Sequence, residues 1–189
     1  MKDNFKNGND WGNKVYLVSI SYKCWNCNRE IAANSGYKCN GVYNNKSIYI
    51  CPHCEAPTII DIDGKEYPNL IPGKEINKLP ENIDYIYNEA RSSLGCGAYT
   101  GCIMLLRKII MNLAVEYGEK EGESFKKYVD FLCKNGFVHK KQAKQADNIR
   151  KLGNDANHEI EKRTKGEAEE LLKFVELLLI NNYEFADEE

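Results

Sequence analysis

Hydrophobic positions along this chain keep two different periods, and the change falls near residue 72. Before it, short β-branched and aromatic runs alternate with turn residues. The runs VYLVSISY (15–22), SIYIC (47–51) and TIIDID (58–63) predict strands, the last closed by the turn pair Asp63-Gly64. The segment YPNLIPG, with Pro68, Pro72 and Gly73, then punctuates the chain.

Beyond Pro80 the apolar residues recur at three- and four-residue spacings, which predicts four or five amphipathic helices. The first runs from Pro80, placed in its first turn, through Ile83, Ile86, Tyr87, Ala90 and Leu94, and stops at the Gly-Cys-Gly of 95–97. The second carries Ala98, Cys102, Leu105, Leu106, Ile109 and Leu113 and stops at Gly118. A third holds Phe125, Tyr128 and Leu132 and ends at Gly136; a fourth is built on Ala143, Ala146, Ile149 and Leu152. The last opens with a Thr164–Glu167 capping box and turns Ala168, Leu171, Leu172, Val175, Leu178 and Leu179 inward. Short connections between such helices predict an antiparallel bundle. The expected fold class is α+β, with a strand-rich domain over residues 1–72 and an all-α bundle over 73–189.

Composition narrows the class without naming a chemistry. A chain of 189 residues, 42% hydrophobic and 29% charged, can bury a core of its own. Its net charge of −2 offers no global attraction for nucleic acid, so any such role needs a local patch. No run approaches the ~18 apolar residues of a membrane span, and the first residues lack a signal-peptide core. A cytoplasmic protein with no membrane partner is expected. In that reducing compartment the eight cysteines are metal ligands or free thiols before they are disulfides.

Four of them carry the strongest signal. Cys24-Trp-Asn-Cys27 and Cys51-Pro-His-Cys54 are two C-x-x-C knuckles separated by 23 residues. Zinc wants four soft ligands in a tetrahedron, and two knuckles on facing hairpins supply them. The wide gap calls for a long hairpin loop, for which Asn40-Gly41 and Asn44-Asn45 offer turn residues. A four-cysteine site is closed, so the expected cofactor is one structural Zn²⁺ and residues 1–72 form a zinc ribbon. His53 lies inside a knuckle as a bystander. Cys39, Cys96, Cys102 and Cys133 are spare thiols, Cys102 on an apolar helix face. Trp25, Tyr37, Tyr43 and Tyr49 either stack on nucleic-acid bases or pack the ribbon's own thin apolar layer, the commoner use of such residues.

A second stretch breaks the helical pattern. NIRKLGNDANHEI (148–160) gathers Gly153, Asn154, Asp155, Asn157 and His158 where apolar residues are due. If the helix continues, Arg150, Asn154 and His158 form one slanting stripe; if it breaks at Gly153, Asn154 or Asp155 caps a new turn. In the scaffold reading Asn154 and His158 serve freed backbone groups and bond Arg107. Around the stretch, between Lys134 and Lys151, lie six Lys or Arg and one acid, Asp147. That run is a phosphate-contacting face or a solvated helix face.

The stretch LPENIDYIYNEARSSLGCGAYTGCIMLLRKI, followed by IRKLGNDANHE and a Leu-rich helix, resembles a bacterial domain of unknown function in the HEPN superfamily of all-helical domains. The resemblance covers about residues 79 to 183, and its most specific points are Glu89-Ala90, Leu106-Arg107, Gly153-Asn154 and His158. It implies a HEPN-like bundle that often follows a zinc ribbon, with relatives among type I restriction subunits and other defence proteins. It also implies a homodimer in which two copies of 148–160 face each other. Many HEPN proteins are metal-independent ribonucleases that use an Arg and a His four to six residues apart. In such a site His158 would be the acid/base, Arg150 the phosphate clamp and Asn154 their neighbour. Here seven residues separate Arg150 from His158, and Leu152, Gly153 or Asn154 stands where the Arg is expected. The leading expectation is therefore an accessory protein, non-enzymatic or weakly enzymatic, that recognises nucleic acid or a protein partner, within anti-phage defence. An RNase toxin or effector using Arg150 and His158, and a purely structural scaffold, are the alternatives.

Overall fold

The computed structural model describes residues 11–39, 46–138, 142–152 and 162–184. The chain divides into two compact units, Met1–Ile71 and Pro72–Glu189.

Among the described residues of the first unit, five antiparallel strands follow one another as a meander: β1 (Val15–Lys23), β2 (Glu30–Lys38), β3 (Ser47–Ile50), β4 (Pro57–Ile60) and β5 (Glu66–Tyr67). The hydrophobic pattern gives β1, β3 and β4, the last ending at Ile60 rather than Asp63, but neither β2 nor β5. Ala32, Ala33, Asn34, Ser35 and Gly36 are poor strand formers, and pairing on both sides holds them extended. Ala33 lies opposite Ile20 of β1, and Gly36 opposite Tyr49 of β3. Gly36 has a steric reason as well, since a Cβ there would lie 1.8 Å from the Ile48 carbonyl oxygen. β1 shifts register between Tyr16 and Ile20, an irregularity that bends an edge strand. Tyr22, Ala33 and Tyr49 are buried in this sheet, with Leu17, Ile20, Ile31 and Ile60 packed around them. Among the described residues this core is thin, and a sheet with so little buried apolar area gains from a second source of stability.

The second unit contains α1 (Glu81–Gly95), α2 (Tyr99–Glu116), α3 (Phe125–Lys134), α4 (Ala143–Lys151) and α5 (Lys165–Leu179), with a π turn over Ile180–Glu184. The helices lie where the apolar spacing predicts. One detail differs: Pro80 is the N-cap of α1, with extended ψ of 142°, and stands just outside the first turn. α2 is central and packs on α1, α3 and α5, while α4 packs on α3 and α5. Leu106, Ile110, Leu113, Val129, Leu132, Ile149, Leu171 and Phe174 are fully buried between them. At roughly 1.5–3 kcal/mol for each such side chain, this core is the main source of the unit's stability. At the start of α5 the Thr164 hydroxyl accepts the Glu167 N–H at 3.2 Å, and the Glu167 carboxylate accepts the Thr164 N–H at 2.7 Å. No described helix is long and apolar enough to cross a membrane.

Candidate metal centre

The two knuckles occupy equivalent turns, one between β1 and β2, the other between β3 and β4. Each is folded by the same backbone pattern. The Cys24 N–H donates to the Arg29 carbonyl and the Asn28 N–H to the Cys24 carbonyl, both at 2.9 Å. In the second knuckle Cys51 N–H donates to Ala56 at 3.0 Å and Glu55 N–H to Cys51 at 2.9 Å. The fourth residue after each leading cysteine is left-handed, Asn28 at φ 59° and Glu55 at φ 63°. Asn tolerates that conformation; Glu pays a strain cost for it, which the closed turn must offset. Two indoles brace the second knuckle: Trp11 Nε1 donates to the Glu55 carbonyl at 3.0 Å and Trp25 Nε1 to the Pro57 carbonyl at 2.8 Å.

These turns bring the sulfurs of Cys24, Cys27, Cys51 and Cys54 within 4.8 Å of one another, close enough to hold one metal ion. Cys24 and Cys54 sulfurs are 3.6 Å apart, and Cys27 and Cys51 sulfurs 3.9 Å. A tetrahedral ion with sulfur bonds of ~2.3 Å requires sulfur pairs about 3.8 Å apart, so the spacing fits. A disulfide would need ~2.05 Å, and all eight cysteines are free.

The electrostatics ask for a cation. Cys24 and Cys51 are wholly buried. Burial pushes the Cys24 thiol up to about 12, although the N–H groups of Cys27 and Asn26 point at its sulfur. Burial also raises Cys51, against the N–H groups of Cys54 and His53. For Cys54, burial is outweighed by the Ala56 N–H, the Asn26 side chain and the neighbouring thiols, which bring it down to about 7. Two sulfurs favour the neutral form and one the thiolate, so four thiolates together need a positive charge among them. His53 is exposed and outside the sulfur cluster.

The other proposed site is only partly described. Arg150 lies near the end of α4, and its Nε donates to Asp130 of α3 at 2.5 Å. Its Nη1 donates to Asp147, one turn earlier on α4. A guanidinium bracketed by two carboxylates offers little net charge to a phosphate. Asn154 and His158 lie outside the described residues, as do Lys140 and Lys141 of the basic run and the turn residues of 40–45. Arg107 stacks over the Phe125 ring at 4.8 Å.

The helical unit decides the family. A model of a domain of unknown function, DUF4145, matches residues 88–189. The chain belongs to the DUF4145 family. The DUF4145 match starts inside α1, at Asn88, so the whole cysteine cluster precedes it. Neither the curated proteins nor the solved structures compared with the chain contain a match.

The aromatic residues offered as base platforms are mostly engaged within the ribbon. Trp25 braces a knuckle, Tyr49 is buried with its hydroxyl on the Val18 carbonyl at 3.0 Å, and Tyr37 donates to the Gly12 carbonyl at 2.8 Å. Tyr43 lies outside the described residues. The packing alternative therefore holds for Trp25 and Tyr49, and the most exposed ring among the described residues of the ribbon is Tyr16 on β1, followed by Tyr67 on β5. Glu176 was passed over by the sequence reading. It shares the inward phase of α5 with Leu172 and Leu179, and a carboxylate at a core phase was its available signal.

Proposed function

We propose that this DUF4145 protein is an accessory recognition module whose zinc-held ribbon contacts a nucleic acid or protein partner and is followed in the chain by a HEPN-type bundle. The carrying observation is the closed set of four cysteine sulfurs at tetrahedral spacing. Four thiolates select a soft, tetrahedral ion, and zinc is the common choice. Such a site leaves no open position for substrate, so the metal stabilises the fold rather than performs chemistry. The pairing of Arg150 with Asp130 and Asp147 supports the same reading, because a phosphate clamp there would have to displace two carboxylates.

A nuclease assay tests it. Zinc-loaded protein incubated with labelled single-stranded RNA in EDTA-free and EDTA-containing buffer should leave the RNA intact. Metal-independent cleavage that persists in EDTA and vanishes in a stably folded His158→Ala variant would overturn the proposal in favour of an RNase.

A further inference from the structure

Two polar side chains of the ribbon are buried among the described residues, Thr58 in β4 and Asn26 inside the first knuckle, between two metal ligands. Asn26 is only 6% exposed, and a buried amide costs free energy unless it is hydrogen-bonded. The position does not impose that burial. In the second knuckle His53 stands at the equivalent place, one residue before the closing cysteine, and it is exposed.

Asn26 serves two sulfurs in two ways. Its main-chain N–H points at Cys24 in its own knuckle, as the His53 N–H points at Cys51 in the other. Its side chain crosses to the second knuckle and bonds Cys54. A thiolate sulfur only accepts, so the group turned towards Cys54 is the amide NH2. Cys24 and Cys54 are the closer of the two sulfur pairs that meet across the knuckles, at 3.6 Å against 3.9 Å. One residue therefore ties together the pair of sulfurs that most closely joins the two turns.

The charge of the site gives that tie its purpose. Four thiolates around a divalent ion leave a net negative charge, which N–H donors must spread where water is excluded. Cys24 has the N–H groups of Cys27 and Asn26, and Cys51 those of Cys54 and His53. Cys54 has the Ala56 N–H, and the Asn26 amide supplies its second donor.

We infer that Asn26 is a positioning residue of the metal centre, whose amide holds the Cys54 thiolate in place across the knuckles and so determines how tightly the metal is kept. The inference rests on the reading of the four cysteines as a zinc site and adds a fifth residue to it. Groups that hold a metal ligand in this way account for roughly 10–100-fold in metal affinity.

Two measurements on the full-length protein test this: zinc affinity by competition with a chromophoric chelator, and the absorption spectrum of the Co²⁺-substituted form. Asn26→Ala should bind zinc about 10–100-fold more weakly. Its thiolate-to-cobalt charge-transfer band should move to lower energy, because a sulfur that loses an N–H donor holds its electrons less tightly. A residue that merely fills space would not move that band. Asn34→Ala, exposed on β2, should change neither property. Near-ultraviolet circular dichroism at saturating zinc checks that the ribbon is folded. If Asn26→Ala does not fold, Asn26→Asp decides in mildly alkaline buffer, since it keeps the shape of Asn and puts an ionised acceptor where the donor was. Weaker zinc binding with a shifted band is again expected.

Wild-type affinity and a wild-type band in the deciding variant would overturn the inference, and so would lost affinity with an unmoved band. The zinc reading would survive either result. A wild-type chain that takes up neither zinc nor cobalt would overturn both.

Discussion

Tyr87 and Glu176 lie 89 positions apart in the chain, and their side chains meet over the backbone of Gly73. The Tyr87 hydroxyl donates to the Lys74 carbonyl at 3.0 Å and lies 3.5 Å from Glu176 Oε2, which itself accepts the Lys74 N–H at 3.0 Å. Burial, and then the Glu176 carboxylate, hold the Tyr87 phenol above its ordinary range, so it remains a donor. Arg91 completes the grip, its Nε on the Pro72 carbonyl at 2.8 Å and its Nη2 on that of Gly73 at 3.2 Å. Side chains from α1 and α5 therefore satisfy the backbone of the segment that enters the helical unit.

Tyr87→Phe removes that hydroxyl and leaves a buried carbonyl and carboxylate short of a donor. The expected cost is ~1–3 kcal/mol in the urea unfolding of the helices. Gly73→Ala should be at least as damaging: φ there is +77°, and a Cβ would lie 3.1 Å from both Glu176 Oε2 and Leu172 Cδ2. Unchanged midpoints in both variants would show that the grip contributes nothing to folding.

How much of this was legible depends on the range of the interactions. α1, α2, α3 and α5 follow from local spacing and from glycine stops, and the capping box is written in Thr164 and Glu167 themselves. The knuckles are equally local, four residues each. β2 was not legible, because Ala32 to Gly36 become a strand only through neighbours on both sides. The indole braces were hidden for the same reason: nothing in the sequence says that Trp25 reaches the Pro57 carbonyl. Tyr16 was illegible differently, since alternation suggests a half-buried strand and only the shift of register in β1 leaves its ring in solvent.

The capping box predicts a pH signature. The Thr164 backbone N–H, against some burial, and then the Thr164 hydroxyl and Arg163 hold the Glu167 carboxyl below the usual carboxylate range. A group with a depressed folded pKa stabilises above its unfolded value, near ~4.3 for Glu, and loses that contribution as pH falls through the folded value. Glu167→Gln should therefore be less stable than wild type at pH 7, and the difference should shrink steadily below about pH 4. Thr164→Ala should cost ~1 kcal/mol at pH 7. A Glu167→Gln deficit that is constant from pH 7 to pH 3 would contradict the assignment.

Arg150 allows a test of structural against phosphate-binding use. Its side chain is 21% exposed and bonded to Asp130 and Asp147, so its contribution belongs to half-exposed ion pairs. A double-mutant cycle of Arg150→Met with Asp130→Asn should give a coupling of ~0.5–1 kcal/mol in thermal unfolding. Inorganic phosphate at millimolar concentration should leave the wild-type melting temperature unchanged. A clear rise that Arg150→Met abolishes would identify a phosphate site.

Metal removal should divide the molecule. The ribbon's described core is Tyr22, Ala33 and Tyr49 with four flanking residues, and Cys24, Cys51 and Ala56 pack around the sulfur cluster. The helical unit has its own core and no ligand in the cluster. Purified protein should carry about one equivalent of zinc by plasma emission, as a closed four-thiolate site requires. Stripping it with a strong chelator, or replacing Cys51 by Ser, should abolish the near-ultraviolet signal of Trp11 and Trp25, because both indoles are held by the second knuckle. The helical signal at 222 nm should survive, since binding energy and folding energy are the same quantity only for the unit that holds the metal. Ribbon dichroism unchanged after complete zinc removal would show that the sheet folds without its metal, and loss of both signals together would show that the helical core depends on it.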